Sequence, residues 1–553
     1  MDKEWWKKAI VYQIYPRSFC DSNGDGIGDI KGIISKLDYL SSLGVDVIWL
    51  SPVYASPNED NGYDISDYTA INPDFGTMAD FEELVQKADE RGMGLMLDFP
   101  LNHTSTAHEW FQKALGGDPY YQDFYYIKPP KADGSLPTDW ASKFGGPAWE
   151  PFGDTGNYYL HLFDVTQADL NWHNPNVREE LYQIANFWLE KGIKGMRFDV
   201  LNVIGKEEFV DSGAPNSAQE KALYTDTPIV HKWVNELNER TFGRYKDIVT
   251  VGEMSSTNVP NGIGYTRPNR NELSMIFSFH HLKVDYKDGN KWTQAPFDIP
   301  AFKRIIAEWQ QGMADNEGWN ALFMNNHDQP RANSRLTHNP SYNAKVTTML
   351  ATTIHLLRGT PYIYQGEEIG MTNPYFNTID DYRDIESYNA YRELLNQGVD
   401  EETAIAIIGD KSRDAGRTPM QWDDSQHAGF TTGTPWIGIP NNYQQINVKN
   451  EQENGHIFSY YQKLVQLRKQ LPVIQEGDYT ELLPDHPTVL AYKRQLESSS
   501  LVVYSNFSEE PADIQVADEF LSGYRKLIGN DETNQLQSEL TLSPFETIAF
   551  IKQ

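Results

Sequence analysis

The chain has 553 residues, of which 39% are hydrophobic and 13% aromatic, which is enough for a substantial core and for one large body with insertions or two to three domains. Its 47 basic and 78 acidic residues give a formal charge of −31, and a field of this sign excludes nucleic acids and anionic membranes as partners. Because Cys20 is the only cysteine and the sequence lacks both a signal-peptide pattern and a bilayer-spanning apolar run, we expect a cytoplasmic protein. A monomer is also expected.

Short apolar runs rich in β-forming residues recur along the chain, each followed by a helical pattern. The runs start at Ile10, Val45, Gly94, Gly195, Ile248, Ser274, Asn320 and Pro361. Amphipathic segments with apolar residues at three-to-four spacing lie between them, for example from Met78 and from Val177. Eight strands that alternate with helices favour an α/β fold of the (β/α)8 TIM barrel type over an open doubly wound sheet.

A candidate metal loop, DSNGDGIGDI, follows the first run. It cannot be an EF-hand, because the twelfth position from Asp21 is Gly32 and not glutamate. Two interpretations remain, a compact structural metal site and a cluster of Asx and Gly turns. The candidate ligands are the side chains of Asp21, Asn23, Asp25 and Asp29 and the carbonyl of Ile27.

The spacing of the runs predicts the domain organisation. About 100 residues separate the third and fourth runs, so we expect an inserted domain at 105–173 between two barrel segments, 1–104 and 174–475. A segment at about 372–450, rich in Asn, Gly, Thr and Pro, is expected to decorate the barrel rim. The short strand patterns of 476–553 predict a C-terminal all-β sandwich domain.

Carboxylates end several of the apolar runs, at the edge where barrel active sites lie. Asp199, Glu253 and Asp328 are predicted to converge on one central pocket, although 54 and then 75 residues separate them. Like charges in such a pocket raise a pKa, so one acid stays protonated while another is ionised, as the cleavage of a glycosidic bond requires. The alternative is that each carboxylate caps a helix or forms an ion pair in its loop.

Four motifs in strand order carry a resemblance to a known family. They are DFPLNH from Asp98, GMRFD from Gly195, GE at Gly252 and NHD from Asn326, accompanied by QADLN from Gln167. Over nearly its whole length the sequence resembles the α-amylase superfamily of glycoside hydrolases, and RTPMQW together with DVLN resembles its oligo-1,6-glucosidase branch. This resemblance implies that Asp199 is the nucleophile, Glu253 the general acid/base and Asp328 the third carboxylate of a retaining enzyme.

The same resemblance implies further site residues. Arg197 would keep the nucleophile ionised, Tyr63 would stack beneath the sugar, and Asp60 would pair with Arg413, or alternatively Arg417, to close the pocket. The expected substrate contacts are Asp60, Tyr63, His103, Phe163, Gln167, Arg197, His327 and Arg413. Loops like DSNGDGIGDI bind calcium in this branch, so a structural calcium ion is the expected cofactor, with no organic cofactor.

The stretch FSFHHLKVDYKDGNKW, residues 277–292, bears on the substrate. It resembles the trehalose-6-phosphate hydrolases of the branch, so a phosphorylated disaccharide is expected, with Lys283, Lys291 and His281 near its phosphate. Alternatively, the two lysines pair with Asp285 and Asp288 on a solvated loop. An oligo-1,6-glucosidase or dextran glucosidase is the rival enzyme; a non-catalytic sugar-binding barrel is disfavoured by the three intact carboxylates.

Overall fold

A computed structural model describes residues 4–553, which divide into two compact units. The first unit comprises residues 49–278, and the second comprises the stretch that ends at Ile48 together with residues 279–553. Among the described residues, no helix combines the length and the apolarity that a membrane span requires.

Twenty-two strands and eighteen α-helices make up the described structure. The strands are β1 (Val11–Ile14), β2 (Val47–Leu50), β3 (Tyr54–Ala55), β4 (Asp67–Ile71), β5 (Gly94–Phe99), β6 (His103–Ser105), β7 (Ile127–Lys128), β8 (Trp149–Pro151), β9 (Tyr158–Leu160), β10 (Gln167–Asp169), β11 (Gly195–Phe198), β12 (Val249–Glu253), β13 (Met275–Phe277), β14 (Ala321–Leu322), β15 (Thr360–Tyr364), β16 (Asp478–Leu482), β17 (Val489–Leu496), β18 (Ser499–Asn506), β19 (Ala512–Gln515), β20 (Arg525–Gly529), β21 (Glu539–Leu542) and β22 (Thr547–Lys552).

The helices are α1 (Ile30–Ser35), α2 (Leu37–Leu43), α3 (Met78–Asp89), α4 (Glu109–Leu115), α5 (Pro119–Gln122), α6 (Pro175–Glu190), α7 (Ala218–Ala222), α8 (Pro228–Arg240), α9 (Val259–Thr266), α10 (Ile299–Asp315), α11 (Ala332–Leu336), α12 (Asn343–His355), α13 (Ile385–Asn396), α14 (Glu401–Lys411), α15 (Asp414–Arg417), α16 (Val448–Asn454), α17 (Ile457–Gln470) and α18 (Pro472–Glu476).

Each of the eight predicted runs contains one strand: β1, β2, β5, β11, β12, β13, β14 and β15. In the first unit, β11 pairs in parallel with β5 on one side and with β12 on the other, and β12 pairs in parallel with β13. In the second unit, β15 pairs in parallel with β1 and with β14. These are the eight strands of a (β/α)8 barrel, and the predicted fold class is confirmed.

The two amphipathic segments identified in the sequence form helices because each begins on a capping residue. Thr77 accepts a hydrogen bond from the Asp80 amide and Asp80 caps back, so α3 starts with a reciprocal capping box. Asn174 caps α6, and Pro175 occupies its first turn, where no amide donor is needed. The apolar faces of both helices are buried.

The segment between β5 and β11 has sheets of its own and shares an aromatic core with residues 200–224. Strands β7, β9 and β8 form a three-stranded sheet, and β6 pairs antiparallel with β10. Aromatic side chains fill the core beside the three-stranded sheet, including Tyr126, Trp140 and Trp149. The β6–β10 pair sets His103 directly opposite Asp169, which matters for the site.

The C-terminal part of the second unit is all β, as predicted. Five strands form an antiparallel sheet in the order β16-β17-β18-β22-β20, and β19 pairs with β21. A core of buried apolar residues lies between them, with Val502, Phe550 and Ile514 among its members. Burial alternates along β19, whereas β18 and β22 are buried at nearly every residue because helix α12 contacts them as well.

Buried arginines tie this sheet to the helices of the same unit. Arg494 on β17 is fully buried and donates to the backbone carbonyls of Gly477, Leu356 and Ile474 at 2.7 to 3.1 Å. Burial lowers its pKa to about 9. The guanidinium thus satisfies carbonyls at the ends of α12 and α18, which have no partner within their own helices.

Replacing this arginine should destabilise the fold without touching the chemistry. In Arg494→Met, three buried carbonyls lose their donor, so the free energy of unfolding should fall by about 3 kcal/mol or more. Urea unfolding followed by tryptophan fluorescence measures the change. Arg525→Met on β20, where the side chain is exposed, is the matched control and should leave the midpoint unchanged. Equal midpoints for the two variants would contradict the assigned role.

Candidate active site

The Arg197 guanidinium is the centre of the charged cluster in the first unit. One of its terminal nitrogens donates to Asp98 Oδ1 at 2.7 Å and to Asp199 Oδ1 at 2.6 Å, and the other donates to Glu253 Oε2. Strand register places these groups together, because Arg197 on β11 lies beside Asp98 on β5, and Glu253 ends the neighbouring β12. One guanidinium therefore serves three carboxylates that come from three parallel strands.

Burial governs the protonation of this cluster. It raises the pKa of Asp199 to about 6, with Arg197 opposing the shift and the Asp98 charge adding to it. It raises the pKa of Asp98 to about 6 as well, again against Arg197. Burial would lower the pKa of Arg197, but Asp98, Glu253 and Asp199 hold it well above its usual value. The arrangement keeps a permanent cation beside acids that titrate near neutrality.

Asp98 begins the third-strand motif DFPLNH and is fully buried. Its second oxygen accepts hydrogen bonds from Trp49 Nε1 at 3.2 Å and from the Tyr63 hydroxyl at 3.0 Å. The Arg197 guanidinium lies over the rings of Trp49 and Tyr63, at 5.1 and 5.9 Å from their centroids. These contacts hold Tyr63 beside the charged cluster that contains Asp199. The family resemblance implies that a ring at this position stacks beneath the sugar.

The predicted substrate contacts of the first unit form a continuous set. His103 Nε2 lies 3.1 Å from the Tyr63 carbonyl and 3.2 Å from Gln167 Nε2, which donates to Asp60 Oδ2 at 3.0 Å. The Phe163 ring lies 5.4 Å from the His103 ring. Burial lowers the pKa of His103 to about 4, so its imidazole is neutral at physiological pH. The first unit thus brings Asp60, Tyr63, His103, Phe163 and Gln167 together with the carboxylates.

Asp328 and its partners lie in the second unit. Two arginines face its carboxylate: Arg417 at 2.8 Å and Arg413 at 3.5 Å. His327 is fully buried, with Nδ1 2.7 Å from Gln13 Nε2 and Nε2 3.3 Å from Asp328 Oδ2. About a quarter of the Asp328 side chain stays exposed, so it can still meet a ligand. Asp60 belongs to the first unit, and its pairing with Arg413 or Arg417 remains a prediction.

Sequence reasoning missed Asp384, a buried carboxylate that holds both arginines. It accepts from Arg413 Nε at 2.6 Å, and Arg417 lies 3.3 Å away. Burial acts to raise the pKa of Asp384, but the two arginines hold it well below its ordinary value. It precedes helix α13 and also caps it through the Glu386 amide. The only sequence signal was that of an N-cap, which does not reveal the arginine partners.

His281, which is predicted to lie near the phosphate, has its N–H engaged by the backbone. Its ring is buried, and Nε2 lies 2.8 Å from the Phe323 carbonyl, so this nitrogen is a donor to the backbone. Burial lowers the pKa of His281 to about 4. A neutral ring whose N–H is occupied offers a phosphate neither a positive charge nor a hydrogen-bond donor, which argues against this part of the prediction.

The two predicted phosphate lysines differ in their surroundings. Lys283 is exposed, whereas Lys291 is largely buried and forms an ion pair with Glu386 at 2.8 Å. Asp285, the expected alternative partner for the lysines, pairs with Arg335 and Lys411, each at 2.8 Å. The solvated-loop interpretation therefore fails for Asp285, whose charge is already balanced by two other cations.

The loop at 21–29 is held by turn and cap hydrogen bonds. Asp21 accepts from the amides of Asn23, Gly24 and Gly26, and both Asp29 oxygens accept from Ser22 or from the first turn of α1. Gly26 has φ +90°, and a Cβ there would collide with the Thr434 carbonyl at 1.8 Å. The oxygen donors suit calcium. Among residues 4–553, however, no cluster of three His, Cys, Asp or Glu side chains is arranged around a metal position.

Comparisons with known proteins agree with the motifs. The family model "Alpha amylase, catalytic domain" matches residues 13–477, and "Alpha-amylase SusG C-terminal domain" matches 489–549. The chain is 50% identical to trehalose-6-phosphate hydrolase of Bacillus subtilis and 48% identical to oligo-1,6-glucosidase of Parageobacillus thermoglucosidasius, covering 99% of this chain and 98% of each relative. The crystal structure of Bacillus licheniformis trehalose-6-phosphate hydrolase matches with a TM-score of 0.94 at 50% identity, covering 99% of both chains.

The raised pKa of the Asp199 cluster predicts the acid side of the pH profile. A nucleophile must be ionised, and Asp199 takes up a proton as the pH falls through about 6. We expect kcat/KM on an uncharged aryl α-glucoside to fall about tenfold per pH unit below that point, with an apparent pKa that belongs to the Asp98–Asp199 pair. Initial rates between pH 4 and 8 test this. An acid limb centred near pH 4 would show that burial does not control the ionisation.

Proposed function

The chain belongs to the alpha-amylase family, and on that premise we propose that it hydrolyses trehalose 6-phosphate to glucose and glucose 6-phosphate. Membership makes the chain a glycoside hydrolase, and its curated relatives are glucosidases and phosphotrehalose hydrolases. What the proposal adds is the substrate and the role of each site residue.

In the proposed mechanism, Asp199 attacks the anomeric carbon of the glucosyl unit while Glu253 protonates the departing glycosidic oxygen. Glu253 then removes a proton from water, which attacks the same carbon and releases Asp199, so the anomeric configuration is retained. The support is that both carboxyl groups bond to one guanidinium, that of Arg197. A shared guanidinium keeps the two carboxyl groups close to each other, which favours direct attack by Asp199 over an intervening water.

Asp328 is proposed as the third carboxylate, which binds sugar hydroxyls and favours the positively charged transition state. Its support is the partly exposed carboxylate backed by Arg413, Arg417 and His327. Tyr63, His103 and Gln167 are proposed to contact the same glucosyl ring, because their polar atoms surround one buried position in the first unit.

The exposed position of Lys283 is the main support for a phosphorylated substrate. It is an exposed lysine that follows β13 in the chain, in a protein of net charge −31. A local cation of this kind is what an anionic sugar needs to overcome the repulsion of the whole molecule. Lys291 would contribute only by sharing its charge between Glu386 and the phosphate.

An oligo-1,6-glucosidase activity is the second candidate. Relatives with that name reach 48% and 47% identity over the whole chain, nearly as high as the phosphotrehalose hydrolases. This candidate requires no phosphate contact, so the two functions differ in the role of Lys283.

A comparison of substrates tests the proposal. We expect kcat/KM for trehalose 6-phosphate to exceed the values for trehalose, isomaltose and sucrose, and Lys283→Ala to raise KM for the phosphorylated sugar by about 10- to 100-fold because a charged hydrogen bond is lost. The value for an uncharged aryl α-glucoside should stay near that of the wild type. Lys287→Ala, an exposed lysine on the same loop, is the control and should change neither value.

Two results would count against this assignment. A preference for isomaltose would favour the oligo-1,6-glucosidase. An equal loss on the phosphorylated and the uncharged substrate would remove Lys283 from phosphate recognition while leaving the glucosidase activity in place.

We also propose that the loop at 21–29 binds a structural calcium ion through its oxygen donors. Binding to the folded state alone raises the melting temperature as calcium is added to chelator-treated protein. We expect a rise of a few degrees that is lost in Asp25→Ala, because Asp25 is exposed and its removal leaves the Asp29 cap of α1 intact. If neither calcium nor chelator changes the melting temperature, the loop is a cluster of turns and not a metal site. The chemistry at Asp199 does not use this ion.

A further inference from the structure

Lys206 is a fully buried lysine that none of the proposed chemistry uses. Its ammonium donates to Asn102 Oδ1 at 2.6 Å and pairs with Asp169 Oδ2 at 2.6 Å, and all three side chains are inaccessible to solvent. Burial lowers its pKa against the opposing effect of Asp169. Burying a charged group costs desolvation free energy unless hydrogen bonds and an ion pair compensate for it, so a specific role for this lysine is expected.

The lysine determines which way the Asn102 amide points. An ammonium group only donates hydrogen bonds, so the Asn102 atom that faces it must be the oxygen. The amide nitrogen then lies on the other side, 3.2 Å from Asp169 Oδ2 and 3.2 Å from His103 Nδ1. Turning the amide over would place its NH2 group against the ammonium and its oxygen against the Asp169 carboxylate.

The Asn102 orientation in turn selects the tautomer of His103. A nitrogen that receives an N–H must be unprotonated, so Nδ1 accepts and the ring proton resides on Nε2. Nε2 lies 3.1 Å from the Tyr63 carbonyl, which accepts that proton. In the opposite tautomer, Nε2 would accept from Gln167 at 3.2 Å, but the hydrogens of His103 Nδ1 and Asn102 Nδ2 would then oppose each other.

We propose that Lys206 is a positioning residue that acts through Asn102 to hold His103 as the Nε2–H tautomer, whose N–H donates to the Tyr63 carbonyl and so fixes these two proposed sugar contacts relative to each other. The inference rests on the proposed role of His103 as a sugar contact. The β6–β10 pair makes it possible, because it sets Asp169 opposite His103 and lets one ammonium reach both Asp169 and the neighbouring Asn102. Lys206 itself does not touch the reacting atoms.

The first experiment reads the tautomer directly. The 1H–15N long-range correlation spectra of 15N-histidine-labelled protein distinguish protonated from unprotonated ring nitrogens, and the spectrum of His103→Gln assigns the signals. We expect protonated Nε2 in the wild type and a mixture or the opposite tautomer in Lys206→Met. An unchanged tautomer in a folded Lys206→Met protein would overturn the inference. This readout needs no enzymatic activity, so it is independent of the proposed substrate.

The second experiment is a double-mutant cycle on an uncharged aryl α-glucoside. We expect Lys206→Met to lower kcat/KM about 10- to 100-fold in the wild-type background and to have little further effect in His103→Gln, because the lysine acts through the histidine. Losses that multiply would mean that Lys206 only stabilises the fold, and would overturn the proposal. Lys303→Met is the matched control, since Lys303 is a buried lysine that donates only to backbone carbonyls near residue 484.

Discussion

The contact between the Arg197 guanidinium and three carboxylates is the interaction on which the candidate site depends. Without the cation, Asp98, Asp199 and Glu253 would be three buried acids without a counter-charge, and burial together with mutual repulsion would raise the pKa of Asp98 and Asp199 further. With it, Asp199 titrates near 6, within reach of neutral pH. The barrel supplies the geometry, because parallel strands in register deliver Asp98, Arg197 and Glu253 to one edge.

The second unit also balances buried charges, but here two arginines share two carboxylates. Asp384 is buried and binds Arg413 and Arg417, which leaves the two arginines with an excess of positive charge facing Asp328. Asp328 therefore faces two cations while a quarter of its side chain remains exposed. Asp384 is buried and holds the arginines in place, while Asp328 is accessible and is proposed to meet the ligand. A single carboxylate could not do both.

An amide lies beside the Nδ1 atom of each motif histidine. His103 Nδ1 faces Asn102 Nδ2, and His327 Nδ1 faces Gln13 Nε2. For His103 the amide is oriented by the buried Lys206, so Nδ1 accepts and Nε2 carries the proton, while His327 directs its Nε2 towards Asp328. An imidazole that changed tautomer would alternate between donor and acceptor towards the Tyr63 carbonyl and would lose that contact.

The amino-acid sequence alone determined the eight barrel strands, the all-β C-terminal domain, the family and the acids at the strand ends, because these features are local: apolar runs, turn residues and short motifs. Domain boundaries and site roles remain predictions, and the contacts of Arg197 and Asp328 support the site roles alone. Tertiary structure alone decided the partners of buried charges. It assigned Asp285 to Arg335 and Lys411, engaged the N–H of His281 with the backbone, and revealed Asp384 and Lys206, since an ion pair between residues far apart in the chain leaves no local pattern.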